Sequence, residues 1–220
     1  YGFLQRFEAY HLSKGNTLNG LSVYLRTLRA IFNKAIKAGI VDRKHYPFRD
    51  YTIRSRPTAK RALSIDAIRT IRDLSLEEDH PCYHARNYFM SSFYLMGISF
   101  VDLAFLRVGN VVNGRIQYRR RKTDQPFDLE IPQPLQEILD GYTSAKQSSE
   151  FIFPIIQRER IEEQYRDIEW ARGRYNRDLK ELARLCDISE NLTSYVSRHS
   201  FASLAKRKGV HLAAISQMLG

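Results

Sequence analysis

The chain has 220 residues, with 35 Lys and Arg against 24 Asp and Glu and a formal net charge of +11. Its 43% hydrophobic and 27% charged residues are typical of a globular protein and exclude a disordered one. No apolar run approaches the roughly 20 residues that span a bilayer, and two cysteines, Cys82 and Cys186, are too few for a disulfide framework. These features predict a cytoplasmic protein with no membrane anchor, in which the cysteines lack partners at the spacing of a zinc site. The sequence starts inside an amphipathic pattern and stops after an apolar Met218–Leu219 pair, which predicts an excised part of a longer protein.

The positive charge is concentrated in the first quarter of the chain. Residues 1–61 hold 13 Lys and Arg against 3 Asp and Glu, whereas residues 62–220 hold 22 against 21. A small module with that excess charge is expected to face a polyanion. Nucleic acid is favoured over an acidic membrane, because the segment lacks a helix with Trp and Phe on one face and Lys on the other.

Two helices are predicted in this basic segment. Apolar residues recur at helical spacing over residues 3–10, before a break at 14–16, and again from Thr17 to Ala38, before Gly39. The predicted buried face of the second helix consists of Leu21, Tyr24, Leu25, Leu28, Ile31, Phe32, Ala35 and Ile36. The opposite face carries Asn19, Ser22, Arg26, Arg29, Asn33 and Lys37. That polar face fits phosphate contacts and an ordinary solvated helix surface equally well.

A basic connector, residues 43–61, follows the second helix. Its two prolines and many cations predict a linker between two folded pieces that lies along a DNA backbone, through Arg54, Arg56 and Lys60 among others. The predicted domains are therefore residues 1–57, a helical DNA-binding part with its linker, and residues 58–220.

The second domain is predicted to be mixed, and the whole chain mainly α with one small three-stranded antiparallel sheet. Ser64 is a predicted N-cap of a helix that buries Ile65, and Ser99 followed by Asp102 has the spacing of a capping box. The Asn113–Gly114 pair predicts a hairpin turn. The predicted strands cover residues 108–112, 115–121 and 127–131. The remaining predicted helices cover residues 83–96, 100–107, 134–145, 161–186, 193–208 and 212–219.

The candidate functional residues of this domain are cationic. Arg119, Arg120, Arg121 and Lys122 cluster where a strand enters a turn. Tyr195, Arg198 and Ala202 share one helix face, on which an arginine fork can point at a phosphate. The more frequent arrangement for a single helical arginine is a solvated or salt-bridged side chain.

The order of these motifs resembles the tyrosine recombinases, the phage-integrase family. The run from Leu95 to Leu106 is similar to that family's helix-turn-helix, and the meander ending in Lys122 follows it in the family's order. The run Arg198–His199–Ser200–Phe201–Ala202 and the segment Gly209–Gly220 come next. The resemblance covers essentially the whole chain, with residues 1–56 similar to the end of the core-binding domain. It is strongest to integrases of conjugative transposons and phages of Bacteroides-type bacteria.

The resemblance implies a strand exchange without a metal ion or cofactor. A tyrosine hydroxyl attacks one DNA phosphate and leaves a 3′-phosphotyrosine and a free 5′-hydroxyl. By position, Arg198 is the second phosphate arginine, Lys122 the general acid, His199 a supporting residue and Asp102 the acid that supports the arginines. The implied DNA contacts come from Arg26, Arg29, Lys37, Arg54, Arg56, Lys60, Arg119 and Arg121.

Three positions depart from the family pattern. Ser99 occupies the place of the first phosphate arginine, and Arg86 or Arg107 are the residues considered as its replacement. Tyr195 occupies the first position of the His-x-x-Arg motif, and a buried aromatic with a satisfied hydroxyl is an equally good interpretation of it. None of the 13 tyrosines matches the place of the nucleophile, which is expected beyond Gly220. A chain with these residues is expected to bind DNA but not to cleave it.

The predicted partner is an attachment site in double-stranded DNA, on which the full-length protein assembles into a tetramer while this chain is monomeric when unbound. One alternative is a DNA-binding protein of the same fold that has lost catalysis and acts as an accessory or regulatory factor. Ser99 and Tyr195 favour that alternative, whereas Lys122 and Arg198 together oppose it. A basic RNA-binding module is a weaker alternative, because the chain lacks paired aromatics on a strand face for base stacking.

Overall fold

The computed structural model describes residues 2–57 and 62–220. The chain divides into two compact units, Tyr1–Ala59 and Lys60–Gly220. The sequence-predicted contact of Lys60 with DNA and the predicted boundary at residue 58 lie outside the described residues. Within those two ranges the chain is predominantly helical with one three-stranded antiparallel sheet, which confirms the predicted fold class. No helix in the same ranges is long and apolar enough to cross a membrane.

The first unit is built on two helices, α1 (Gly2–Ser13) and α2 (Leu18–Lys37). Thr17 starts α2 by accepting a hydrogen bond from the Gly20 amide on its Oγ1, at 3.1 Å. The small core of this unit consists of Leu4, Leu21, Leu25 and Phe48.

The buried face of α2 is narrower than the sequence predicts. Tyr24 and Ile31 are 55% and 57% exposed, although the pattern assigns them to the core. Ser22, assigned to the polar face, is 3% exposed, and its hydroxyl donates to the Asn19 carbonyl. Among residues 2–57, α1 and the segment after α2 pack against the helix, and they cover a stripe around Leu21 and Leu25 rather than its whole apolar surface.

The segment after α2 is packed onto this unit, which corrects its interpretation as a simple linker. It begins with a short 3₁₀ helix, Arg43–His45, and then buries Phe48 among residues of both helices. Asn19 fixes its far end, because the Asn19 side chain accepts from the Arg56 amide at 2.8 Å and donates to the Arg56 carbonyl at 3.0 Å. The Asn19 side chain therefore binds the backbone of Arg56 and does not belong to a phosphate-facing stripe.

A buried carboxylate links α1 to the same segment. Glu8 is 9% exposed and accepts hydrogen bonds from the Tyr51 hydroxyl and the Arg54 guanidinium. The hydrogen bond from Tyr51 is the main cause that lowers the pKa of Glu8 below its usual value, with the bond and charge of Arg54 adding to it against the opposing effect of burial. Arg54, predicted to contact DNA, is thus paired with Glu8 in the structure.

We expect the stability of the first unit to fall with acid through Glu8. A carboxyl whose folded pKa is lowered stabilises the fold above its unfolded pKa, about 4.3, and that contribution is lost as the pH falls through the folded value. Glu8→Gln should cost about 1–2 kcal/mol at pH 7, since an amide replaces a charged acceptor. Amide hydrogen exchange of α1 between pH 7 and 3 measures both effects. Asp73→Asn, which removes a solvent-exposed ion pair with Arg72, is the control and should leave α1 protection unchanged.

The second unit has its core around α4, which packs against α7 and α8. Its elements are α3 (Ile65–Asp73), α4 (Tyr83–Tyr94), α5 (Phe100–Ala104), β1 (Val111–Val112), β2 (Arg115–Arg119), β3 (Pro126–Glu130), α6 (Gln133–Thr143), α7 (Ile161–Leu185), α8 (Val196–Arg207) and α9 (Leu212–Leu219). The sheet has the order β1-β2-β3, and the buried pair Ile116 and Leu129 faces the core.

The predicted caps are confirmed, and several predicted boundaries shift. Ser64 and Ser99 both cap their helices through side-chain oxygens. Residues 108–110 form a 3₁₀ turn instead of the start of the first strand, because the Asn110 side chain accepts from the Arg107 amide and closes the turn. Ile65, predicted to be buried, is 40% exposed, since the first residue of α3 lies at the edge of the core.

Candidate active site

The chain reversal after α4 lies directly against α8. Gly97 has a φ of +77°, and a Cβ atom on it would lie 2.8 Å from Arg198 Cγ and 2.9 Å from Arg198 Cα. Small side chains allow the same close packing deeper in the core, where the Ser197 hydroxyl donates to Ser92 Oγ at 2.8 Å. The absence of a side chain at Gly97 therefore sets how closely Arg198 approaches the end of α4.

Replacing Gly97 by alanine should destabilise the second unit by about 2–5 kcal/mol. A left-handed backbone costs an L-residue about 1–2 kcal/mol, and the contact with Arg198 backbone adds about 1–3 kcal/mol of overpacking. Gly114→Ala is the matched control, because Gly114 has a φ of +72° and open space around it. Denaturant unfolding of both variants separates the two contributions, and equal losses would show that the contact with Arg198 costs nothing.

The Arg198 guanidinium is half-buried and held by two backbone carbonyls. Its NH1 donates to the Gly97 carbonyl at 2.8 Å and its NH2 to the Leu219 carbonyl at 2.6 Å. Burial lowers the pKa of Arg198 below its usual value, Tyr195 opposes that effect, and the positive charge of Arg120 adds to it. An arginine stays protonated under any of these shifts, so the fork is a fixed positive charge.

Asp102 connects α5 to the β2–β3 hairpin. Its carboxylate is 5% exposed and accepts from the Ser99 hydroxyl at 2.7 Å and from the Arg121 amide at 2.9 Å. Its Oδ2 also lies 4.0 Å from Arg120 Nε. Ser99 is thus engaged with Asp102 through both its capping bond and its hydroxyl proton, as its predicted role as an N-cap implies.

The side chains of the four consecutive cations on the hairpin point in different directions. Arg119 NH1 donates to the Asp124 carboxylate at 2.9 Å, and the Arg121 guanidinium lies 3.7 Å over the Phe105 ring centre. Arg119 and Arg121, both predicted to contact DNA, are therefore held by neighbouring side chains. Lys122 is exposed in the turn that the Arg121 amide fastens to Asp102.

Arg120 is the residue of this run that joins Arg198. Its side chain is 14% exposed, and its NH1 donates to the Leu219 carbonyl at 3.2 Å, which also accepts from Arg198. Tyr118 lies on the same strand face, and burial raises the pKa of its hydroxyl well above its usual value, with Asp102 adding to the rise and both arginines opposing it. The sequence places Arg120 in the cationic cluster but predicts no separate role for it, although the two-residue period of a strand separates Arg120 from Arg119 and Arg121.

Tyr195 and His199 lie beside Arg198 on the outer side of the site. Tyr195 is 56% exposed, which shows that its interpretation as a buried aromatic is wrong. Its ring meets the exposed His199 ring edge-on at 4.8 Å between centroids. Both rings are accessible from solvent, Tyr195 immediately before α8 and His199 in its first turn.

The two residues considered as replacements for the first arginine lie elsewhere. Arg86 donates to the Leu74 carbonyl at 3.1 Å. Arg107 donates to the Ser149 carbonyl and lies 4.2 Å over the Phe151 ring centre. Both guanidiniums are thus committed to other contacts, and neither is among the partners of Ser99, Asp102 or Arg198.

In the first unit, Arg26, Arg29 and Lys37 project from α2 into solvent, and Arg56 is exposed beyond the clamp formed by Asn19. These side chains are accessible to a ligand, whereas Arg54 is paired with Glu8.

Comparison with known proteins finds similar proteins for both units. Residues 1–53 match the family model of the phage integrase SAM-like domain. The whole chain is similar to a lambda integrase dimer bound to a COC′ core site, with a TM-score of 0.67 and 14% identity over 99% of this chain and 77% of that one. The integrase of transposon Tn1549 in complex with circular intermediate DNA matches with a TM-score of 0.63 and 12% identity over 99% and 76%. A lambda integrase tetramer bound to a Holliday junction matches with a TM-score of 0.65 and 15% identity over 98% and 62%. The chain has the tyrosine-recombinase fold.

The tyrosine-recombinase fold confirms, at the level of structure, the resemblance carried by the sequence motifs. No curated protein matches the sequence. The chain spans less than two thirds of the lambda integrase chain in the Holliday-junction complex.

Proposed function

We propose that the chain is the DNA-binding and phosphoryl-transfer core of a site-specific DNA recombinase that acts in the cytoplasm through a 3′-phosphotyrosine intermediate. The observation that carries this proposal is the chain of contacts from Arg198 through the Leu219 carbonyl and Arg120 to Asp102, which also holds the turn that carries Lys122. That arrangement offers fixed positive charge and a proton donor, which are the two requirements of phosphoryl transfer.

In the cleavage step a tyrosine oxygen attacks the scissile phosphorus and gives up its proton to water. The bond from phosphorus to the 5′ oxygen breaks, and Lys122 protonates that leaving oxygen. Arg198 stabilises the charge that grows on the non-bridging oxygens, since its fork is already oriented by the Gly97 and Leu219 carbonyls. His199 and Tyr195 flank Arg198 and are in a position to donate hydrogen bonds to the same phosphate. None of the 13 tyrosines of this chain is assigned as the nucleophile.

The proposed partner is an attachment site in double-stranded DNA. The exposed cations Arg26, Arg29, Lys37 and Arg56 supply phosphate contacts from the first unit, so binding should weaken steeply with salt. The chain is monomeric in solution, and the complete recombinase assembles into a tetramer on its DNA, the assembly that the lambda integrase complex exhibits.

Strand joining tests this function without a protein nucleophile. A duplex bound by the chain is first selected from a random-sequence library. Half-sites are then prepared in which a 3′-phosphate carries a p-nitrophenyl ester, moved one nucleotide at a time across the selected site, opposite a strand with a free 5′-hydroxyl. The 5′ oxygen attacks phosphorus, the ester bond breaks to release nitrophenolate, and Lys122 takes the proton of the hydroxyl.

We expect joined strands on a denaturing gel at one position of the selected site. Tight, salt-sensitive binding with no joining at any position would instead favour the accessory DNA-binding protein of the same fold. Preferential binding of single-stranded RNA over duplex DNA would contradict both.

A further inference from the structure

Arg198 is the arginine assigned to the phosphate, and Ser99 occupies the position that the family pattern gives to a second one. A phosphate diester gains negative charge on its two non-bridging oxygens during transfer, and a second fixed cation would stabilise that charge. The hydroxyl of Ser99 cannot supply it, since serine is neutral and its proton is donated to Asp102.

Arg120 is placed to supply that charge. Its guanidinium shares the Leu219 carbonyl with Arg198 and also donates to the Gly220 carbonyl, so the two forks meet at the end of α9. Two guanidiniums repel one another, and holding them together is favourable where an anion lies between or against them. Asp102, 4.0 Å from Arg120 Nε, compensates part of this repulsion from the protein side.

The hairpin gives a structural reason why Arg120, among its neighbours, points this way. Successive strand residues face opposite sides, and Tyr118 and Arg120 share the side that faces Asp102. Arg119 pairs with Asp124, and Arg121 packs on Phe105. The Arg120 amide donates to the Gln125 carbonyl at 2.9 Å, which extends the ladder one residue beyond β2 and fixes the direction of the side chain.

We propose that Arg120 binds the scissile phosphate beside Arg198 and takes the place of the arginine that Ser99 does not supply. Arg120 is then a catalytic residue that reaches the phosphate from the hairpin, two residues before Lys122. This assignment rests on the proposed recombinase function.

The test is strand joining by Arg120→Ala on the half-site at which the unsubstituted chain is active. We expect a loss of about 10²–10³-fold, the scale of removing one donor to a developing oxyanion. Arg115→Ala is the matched control, because Arg115 lies on the same strand, is paired with Asp128 and has no assigned role. Its rate should stay within a factor of about three of the unsubstituted chain.

A neutral substrate separates a phosphate contact from a structural contribution of Arg120. In a methylphosphonate half-site one non-bridging oxygen is replaced by a methyl group, so less charge develops and one cation fewer is needed. Arg120→Ala should then join strands at about the rate of the unsubstituted chain on this substrate, which a misfolded variant cannot do.

Each result distinguishes the two proposals. A rate for Arg120→Ala near that of the unsubstituted chain on the natural phosphate, or an equal loss on both substrates, would overturn the assignment of Arg120 and leave the recombinase function standing. An unsubstituted chain that binds the selected DNA and joins neither substrate would overturn the proposed function and the assignment with it.

Discussion

Arg198→Ala should reduce strand joining by about 10³-fold while the affinity for duplex DNA changes little. The fork of Arg198 is oriented by carbonyls of Gly97 and Leu219 before any substrate arrives, so its full charge acts on the phosphate without reorganisation. Affinity is spread over many phosphate contacts, of which the variant removes one. Joining rates on the selected half-site and binding curves at two salt concentrations measure the two quantities.

The variant also leaves the Gly97 carbonyl without its side-chain donor, while the Leu219 carbonyl keeps Arg120, and this loss should cost about 1–3 kcal/mol of stability. Arg86→Ala is the control for this cost, because Arg86 is another partly buried arginine that donates to a backbone carbonyl of the same unit. It should lower the free energy of unfolding while joining is retained. Arg198→Lys keeps the charge and loses the planar fork, so an intermediate rate is expected. If Arg86→Ala lost as much joining as Arg198→Ala, the effect would be one of stability and not of phosphate contact.

The parts of the site that could be predicted from the sequence are those encoded by short spacings. Ser99 and Asp102 are three residues apart, and that spacing alone indicates the cap that the structure contains. The Asn113–Gly114 pair likewise predicted the turn between β1 and β2, and residues 122–126 predicted the next turn, which carries Lys122. In each case a local rule of backbone geometry determines the outcome, whatever surrounds it.

The parts that could not be predicted depend on contacts between distant residues. Arg120 and Leu219 are 99 residues apart, so no local pattern places the two guanidiniums on one carbonyl. The same is true of Arg54, whose pairing with Glu8 spans 46 residues and engages its guanidinium although the side chain stays 65% exposed. The four consecutive cations are alike in the sequence. Their environments differ only in the folded chain, where the direction of the strand and the neighbouring side chains are fixed.

The width of the buried face of α2 could not be predicted from the sequence either. Tyr24 and Ile31 fit the apolar period of α2 but are more than half exposed, since the small first unit has too few elements to cover them. The helical period indicates which residues share a face. How much of that face is buried depends on the elements that pack against it.

Lys122→Ala should reduce joining by about 10³-fold, within the range of removing a general acid or base, and leave duplex binding within a few-fold. The Lys122 side chain is exposed, yet its turn is fastened to α5 by the hydrogen bond from the Arg121 amide to Asp102. An exposed residue on a fixed turn can reach a bound strand with little loss of packing when it is removed. Lys180→Ala, at an exposed lysine of α7, is the control and should have no effect on either quantity.

The Lys122→Arg variant tests whether Lys122 acts by transferring a proton or only through its positive charge. Arginine keeps the positive charge but is not deprotonated in proteins, so it cannot take the proton of the attacking 5′-hydroxyl. If Lys122 transfers a proton, this variant should bind DNA normally and join strands as slowly as Lys122→Ala. Recovery to within about tenfold of the unsubstituted chain would show that Lys122 acts through its charge alone, and the proton would then have to leave through another group of the site. His199, exposed beside Arg198, would be the first residue to substitute in that case, because imidazole both accepts and donates protons near neutral pH.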